Sequence, residues 1–305
     1  MKVTVTGATG TLGRDLVQAL QGRGDEVTVL SRDADRARSA LGTDVRALAW
    51  AEPKQAPPPA ESLASQDAVV HLIGEPVDQR WSDTAKREIR DSRVLSTRNL
   101  VAALRDLDDR PATLVCQSAS GWYGPRGEER VDESEPAADD FLAQVCVEWE
   151  AAARAAEELG MRVALTRTGV VLSESGGALA KMLLPFKLGV GGPVARGDQY
   201  MPWIHTEDVV GAWLFCIDHE AASGPLNFSA PEPVTNKQLS KTLGKVLGRP
   251  AIAPVPAFAI KVLYGEMSSI VTTGVRAVPK KLQDLGYDFR RADLEAALRS
   301  ATGRG

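Results

Sequence analysis

Lys2-Val-Thr-Val-Thr6 runs directly into Gly7-Ala-Thr-Gly10-Thr-Leu-Gly13, twelve positions that carry a strand, a turn and the start of a helix. The first segment has the short β-branched pattern of a buried strand. Leu12, Leu16 and Leu20 then recur at helical spacing, and Glu26-Val-Thr-Val-Leu30 reads as a second strand. Strand, glycine turn, helix and strand make one βαβ unit. In that context a GxxGxxG turn carries chemistry, because glycine backbone can approach a pyrophosphate closely. The helix N-terminus behind it offers unpaired N–H donors and the positive end of the helix dipole. A bare β-to-α turn needs one glycine to bend, so Gly7, Gly10 and Gly13 together point to a bound dinucleotide.

Which dinucleotide depends on the end of the second strand. An acidic side chain there would accept from the ribose 2′-OH of NAD. The chain instead reads Leu30-Ser31-Arg32. A hydroxyl and a planar multi-donor guanidinium suit a 2′-phosphate, which points to NADP(H). The competing reading is a surface Arg32 paired with Asp33.

Working outward, Val45 to Trp50 is a weaker third strand, and Glu52 to Ser65, with Pro57-Pro58-Pro59, is a connector. Asp67-Ala-Val-Val-His-Leu-Ile73 is a run of the kind buried in a parallel sheet. A helix over about Ser82 to Leu104, a strand Thr113 to Gln117, a helix over about Asp139 to Leu159 and a strand Arg162 to Leu172 follow. This alternation predicts an α/β fold with a doubly wound parallel sheet of the Rossmann kind over residues 1–172, with sheet and helix contributions from about 200–222. Residues 173–305, looser and richer in glycine and proline, are expected to form a smaller C-terminal α/β lobe on the substrate side. Short helices are expected there near Asn236 to Leu247, Ala257 to Tyr264 and Arg291 to Leu298.

The 305 residues suffice for two domains or one large α/β unit with an insertion. With 36 Lys+Arg against 40 Asp+Glu the chain lacks the basic excess of a protein that grips nucleic acid through phosphates. No apolar run approaches the roughly 18 residues that would span a bilayer, and the first strand starts too early to leave room for a signal peptide. Cys116, Cys146 and Cys216 are odd in number and far apart, as expected of reduced thiols. These features predict a cytoplasmic protein that takes a small-molecule substrate, with neither nucleic acid nor membrane as partner.

Several motifs together resemble a known family. They are the Gly7 to Gly13 turn, Ser31-Arg32, Asp67 to Gly74, Gly121-Trp-Tyr-Gly124, Gly176-Gly-Ala-Leu179, Trp203-Ile-His-x-x-Asp208, Pro254-Val-Pro256 and Gly286-Tyr-Asp-Phe289. This set is similar to the extended and atypical short-chain dehydrogenase/reductase superfamily. More narrowly it resembles the bacterial "epimerase family" proteins, which carry a distinctive C-terminal domain, here about 253–302. The resemblance implies a Rossmann fold and NADP(H) held along Thr9, Thr11, Leu12, Ile73, Gly74 and Thr168 as well as the glycines. It also implies that Arg93, at a position where the superfamily usually has Asn, reaches cofactor or substrate oxygens. On the residues alone, Arg93 interrupts a helix stripe with Ile89, Leu100 and Leu104, so its guanidinium needs a partner, which can equally be an internal carboxylate or solvent.

Short-chain dehydrogenases use a Tyr with Lys four residues on, the Lys lowering the phenol pKa. Four residues after Tyr123, Tyr200, Tyr264 and Tyr287 stand Gly127, Ile204, Ser268 and Arg291, so the pair is absent. Alignment puts Asp140, Phe141 or Leu142 where the Tyr belongs. The remaining catalytic candidates are Ser118 and Ser120 at a strand end, Tyr123 beyond them, and Glu75 at the carboxyl end of another strand. Each also has a structural reading. His205 reads as structural, and Cys216-x-x-His219 lacks the further ligands of a closed zinc site, so no metal is expected. Trp81, Trp122, Met201 and Trp203 can line an apolar pocket over the nicotinamide. The function expected is an NADP(H)-dependent oxidoreductase, either a reductase or a sugar or nucleotide-sugar epimerase-like enzyme. The alternative is a non-catalytic NADP(H)-binding module.

Overall fold

The computed structural model describes residues 1–304. Seven parallel strands form the central sheet: β1 (Lys2–Thr6), β2 (Glu26–Ser31), β3 (Val45–Ala49), β4 (Ala68–His71), β5 (Thr113–Ala119), β7 (Arg162–Thr168) and β11 (Gly224–Phe228), in the order β11-β7-β5-β4-β1-β2-β3. Three two-stranded ladders complete the strands: β6 (Arg130–Val131) with β13 (Arg276–Ala277), β8 (Val170–Leu172) with β10 (Trp203–His205), and β9 (Tyr200–Met201) with β12 (Val234–Thr235). The strand order reverses between β1 and β4. In a doubly wound sheet the ligand crevice opens at that point, beyond the carboxyl ends of the strands.

Two apolar layers fix the helices. Leu16, Val17 and Leu20 of α1 (Thr11–Gly22), Ala37 of α2 (Ala34–Leu41) and Trp213 of α6 (Thr206–Asp218) pack on Val3, Val5, Val27 and Val29. On the opposite face, Leu100 and Leu104 of α3 (Asp83–Arg105) and Trp149 of α4 (Phe141–Arg154) cover Val69, Leu114 and Leu165. The second lobe has its own core of Leu183, Phe186, Trp203, Leu243 and Leu298, contributed partly by α5 (Gly177–Lys187), α7 (Asn236–Leu247) and α11 (Leu294–Ala301). Between α7 and α11 lie α8 (Ala257–Tyr264), α9 (Ser269–Thr272) and α10 (Lys280–Asp284). Among the described residues no helix is long and apolar enough to cross a membrane.

Two departures from the sequence reading concern the central sheet. The expected strand Arg162 to Leu172 is two strands, because the chain leaves the sheet at Gly169 to pair β8 with β10. A Cβ at Gly169 would fall 1.8 Å from the Pro202 carbonyl oxygen, so only glycine permits that exit. The seventh strand, Gly224–Phe228, lies beyond the 200–222 segment expected to return to the sheet.

The Trp203-Ile-His-x-x-Asp208 and Gly286-Tyr-Asp-Phe289 motifs form one lock. His205 Nδ1 accepts from the Glu207 N–H and caps α6. The Asp208 carboxylate accepts from the backbone N–H groups of Arg290 (2.8 Å) and Arg291 (3.0 Å), while Tyr287 donates its hydroxyl to the Asp208 carbonyl. The C-terminal segment is thereby fastened to the N-terminus of α6.

Candidate functional site

The crevice begins at the glycine turn. Gly7 has φ +69°, and a Cβ there would lie 2.9 Å from the backbone of Leu72. At Gly13 a Cβ would come within 2.4 Å of the Gly7 carbonyl oxygen, so this glycine lets α1 sit directly against the turn. Gly10 differs. Its Cβ would meet only the Gly7 oxygen, at 3.3 Å, and otherwise project into open space. As the N-cap of α1, Gly10 supplies no side-chain acceptor, and no acidic residue stands in the first turn. The first N–H groups of α1, beside Thr11 and Leu12, therefore face the crevice with positive potential and no internal partner. The cradle fits a pyrophosphate.

A buried relay braces the turn from below. The Leu72 N–H donates to Thr6 Oγ1 (3.1 Å), Thr6 Oγ1 lies 2.8 Å from His71 Nδ1, and His71 Nε2 lies 3.2 Å from Ser96 Oγ. Ser96 donates its hydroxyl to the Ser92 carbonyl. One proton order satisfies every member: Thr6 donates to Nδ1, and Nε2–H donates to Ser96. His71 is fully buried, and that burial pushes its pKa down to about 3, so the ring is neutral.

At the carboxyl end of β2 a cleft of about 380 Å³ is lined by Thr9, Arg14, Ser31, Arg32, Asp33, Arg36 and Ala40. Asp33 does not neutralise Arg32. Its Oδ1 accepts from the Arg36 backbone N–H as the N-cap of α2. Arg14 is held by Nε donating to the Thr9 carbonyl at 3.0 Å. Ser31 and Arg32, named from the sequence, line this cleft together with Arg14 and Arg36, which were not named. The signals were available, since Arg14 follows Gly13 directly and Arg36 stands one turn past the Asp33 cap. Three arginines around one small cleft form a site for a dianionic oxyanion such as a 2′-phosphate.

At the carboxyl end of β5, two of the expected catalytic groups are committed inward. The Ser118 hydroxyl donates to Glu150 Oε1 at 2.7 Å, and Glu150 makes a bidentate pair with Arg167 at 2.8 and 2.9 Å, both side chains 2% exposed. Arg167 also donates to the Tyr123 oxygen (3.1 Å) and stacks 3.8 Å under Trp122. The Tyr123 hydroxyl donates to Asn227 Oδ1 (2.7 Å), and burial pushes its phenol up to about 12. These two residues tie β5, α4, β7 and β11 together and present no hydroxyl to the crevice. Ser120 is partly exposed, and its hydroxyl has no hydrogen-bond partner among the described residues.

The three positions that could replace the missing Tyr have other duties. Asp140 caps α4 by accepting from the Ala143 N–H, Phe141 meets Trp81 edge-on at 5.1 Å, and Leu142 packs beside Gly121. The expected pocket of Trp81, Trp122, Met201 and Trp203 does not assemble. Trp203 is buried in the second-lobe core and Trp122 covers Arg167.

Arg93 pairs with no carboxylate among the described residues, and its side chain is only partly exposed. Its NH1 donates to the carbonyls of Glu75 and Ile89, both at 2.9 Å, and its guanidinium lies 5.2 Å from the Trp149 ring. A Cβ on Gly74 would reach 2.9 Å from the Arg93 Cζ, so Gly74 makes the space that lets Arg93 clamp the loop. Ile73 packs on the α3–α4 core, and Thr168 closes β7 with its hydroxyl on the Thr166 carbonyl. Glu75 is exposed, with Oε1 accepting from Gln79.

Comparison with known proteins agrees with this geometry. The model of the NAD dependent epimerase/dehydratase family matches residues 3–228, and that of a domain of unknown function, DUF1731, matches residues 255–301. The chain is 38% identical to the chloroplastic SDR39U1 homolog of Arabidopsis thaliana over 98% of this chain and 86% of that protein. It is 36% identical to epimerase family protein YfhF of Bacillus subtilis, over 98% and 97%. The crystal structure of human epimerase family protein SDR39U1 with NADPH superposes with a TM-score of 0.88 at 33% identity, covering both chains completely. The chain therefore belongs to the NAD dependent epimerase/dehydratase family, alongside the SDR39U1-type epimerase family proteins it matches along its length.

Proposed function

We propose that this protein binds NADP(H) and works as an atypical short-chain reductase on a small carbonyl compound. The carrying observation is the cleft of Arg14, Arg32 and Arg36 beside Ser31, in which three arginines face a single carboxylate, Asp33, whose Oδ1 caps α2. The NADPH-bound human relative supports the same reading. Gly7, Gly10 and Gly13 hold the pyrophosphate, with Thr9, Thr11 and Leu12 beside it. Ile73, Gly74 and Thr168 border the path toward β5, where Arg93 fixes the backbone of the β4 loop. When bound, the nicotinamide supplies hydride; the protein supplies orientation and one polarising donor. Ser120 is that donor, because Ser118 and Tyr123 are engaged internally.

Reduction is favoured over sugar or nucleotide-sugar epimerisation, which starts by removing a hydroxyl proton and so requires a base. The carboxylate at the end of β4 that could act as one is Glu75, on an exposed loop. The second reading, a non-catalytic NADP(H)-binding module, gains support from the inward commitment of Ser118 and Tyr123.

Screening the NADPH-loaded protein against aldehydes, ketones and nucleotide sugars tests the proposal through loss of NADPH absorbance. At least one carbonyl compound should be reduced, with kcat about tenfold or more lower in Ser120→Ala. Dependence on Glu75 instead would favour the epimerase chemistry. Tight NADPH binding with no turnover across the panel would leave the binding module.

A further inference from the structure

Beyond the β5 end, the chain's second lobe meets the Rossmann unit along β6 and β13. Their register places Arg276 directly beside Arg130. Neighbouring strands lie about 4.8 Å apart and paired residues project to the same face, so two guanidinium stems stand side by side. That juxtaposition is unfavourable unless something negative joins it. Arg130 has one loose partner, Glu232 at 3.6 Å, with side chains 50% and 69% exposed. Arg276 has no carboxylate within ion-pair distance among the described residues, and its buried Nε has no hydrogen-bond acceptor. An unpartnered arginine donor taken out of water is costly.

The surroundings hold Arg276 in place. Val275 and Ala277, on either side of it, are buried with Tyr123 and Val131, so Arg276 projects away from that cluster. Its Cζ lies 4.9 Å over the Tyr200 ring. Gly274 presses on Tyr200 so closely that a Cβ would fall 2.1 Å from the Tyr200 carbonyl oxygen, while the Gly274 carbonyl accepts from the Arg126 N–H. The nearby Arg126 is occupied by Glu129 and Glu135. An aromatic-backed guanidinium with no carboxylate partner among the described residues, next to a second one, matches the planar fork that arginine offers to carboxylates and phosphates.

We infer that Arg276, with Arg130 beside it and Tyr200 beneath it, is an oxyanion-binding subsite that holds the carboxylate or phosphate group of the substrate. The inference rests on the reductase reading for its place in the reaction, though not for its binding chemistry.

The test uses NADPH-saturated protein, so that the Arg14, Arg32 and Arg36 cleft is filled, with thermal unfolding followed against inorganic phosphate and, separately, acetate at constant ionic strength. At least one probe should raise the midpoint saturably, and the better one identifies phosphate or carboxylate as the group recognised. Arg276→Gln should raise the apparent Kd at least tenfold, and Arg249→Gln should leave it unchanged. Should Arg276→Gln fail the circular dichroism check for folding, Arg276→Lys, which keeps the charge and loses the fork, should still weaken binding severalfold. An unchanged Kd in the folded Arg276 variant, or no response of the wild type to either probe, overturns the inference. A separate NADPH titration of Arg276→Gln keeps the two claims apart. Wild-type affinity for NADPH preserves the cofactor reading whatever the anions do, and loss of NADPH binding in the wild type would count against that reading alone.

Discussion

The relay beneath the glycine turn makes the protein acid-sensitive at one identifiable residue. His71 is neutral in the fold with a pKa near 3, against 6.5 for the free side chain, because burial disfavours the imidazolium. Its two nitrogens are already committed to Thr6 and Ser96. The unfolded chain therefore binds more protons than the native one between pH 6.5 and 3. Stability falls as pH falls through that window and is untouched above it. Two pH units below 6.5, at about 1.4 kcal/mol per unit, the expected loss from this residue is about 3 kcal/mol. Urea unfolding of wild type and His71→Gln at pH 7.5 and pH 4.5 isolates the contribution, since carboxylates titrate alike in both. The variant, less stable at pH 7.5, should lose about 3 kcal/mol less on acidification, so that the two curves converge. Parallel curves would refute the assignment of a buried neutral imidazole, as would nitrogen chemical shifts showing imidazolium at pH 5.

Other consequences concern the turn and the buried pair. Gly10→Val should abolish NADPH binding in calorimetry, by at least about 100-fold, with a circular dichroism spectrum like that of wild type, since the added Cβ meets only the Gly7 oxygen within the protein and otherwise points into the open crevice; undiminished affinity would mean the glycines form only a turn. Glu150→Gln should cost about 3–5 kcal/mol in chemical unfolding, because it leaves Arg167 buried without its counter-charge; a cost under about 1 kcal/mol would show that the pair is solvated.

The sheet was legible where local pattern decides structure. Lys2 to Gly13 carries strand, turn and helix start within one stretch, and β4 announces itself through Ala68-Val-Val70 before His71. Gly224–Phe228 was hidden because Pro225 and Asn227 break its pattern; as an edge strand paired only with β7, it can carry a proline, which a central strand cannot. The split at Gly169 depends on a contact with Pro202, far off in sequence. Ser31 and Arg32 could be read from the end of β2, whereas the fate of Ser118 and Tyr123 is settled by Glu150, Arg167 and Asn227 on three separate elements. The stripe position of Arg93 marked it as needing a partner. Its partners are backbone carbonyls in a space cleared by Gly74, which residue spacing does not encode.

The arginine cleft is proposed to select NADP(H) over NAD(H). Calorimetric titration of wild type, and of a variant combining Arg32→Ala with Arg36→Ala, against NADPH and NADH tests it most directly. Wild type should bind NADPH at least tenfold more tightly, about 1.4 kcal/mol, and the double variant should lose most of that preference while binding NADH unchanged. Equal wild-type affinities for the two cofactors would contradict the claim.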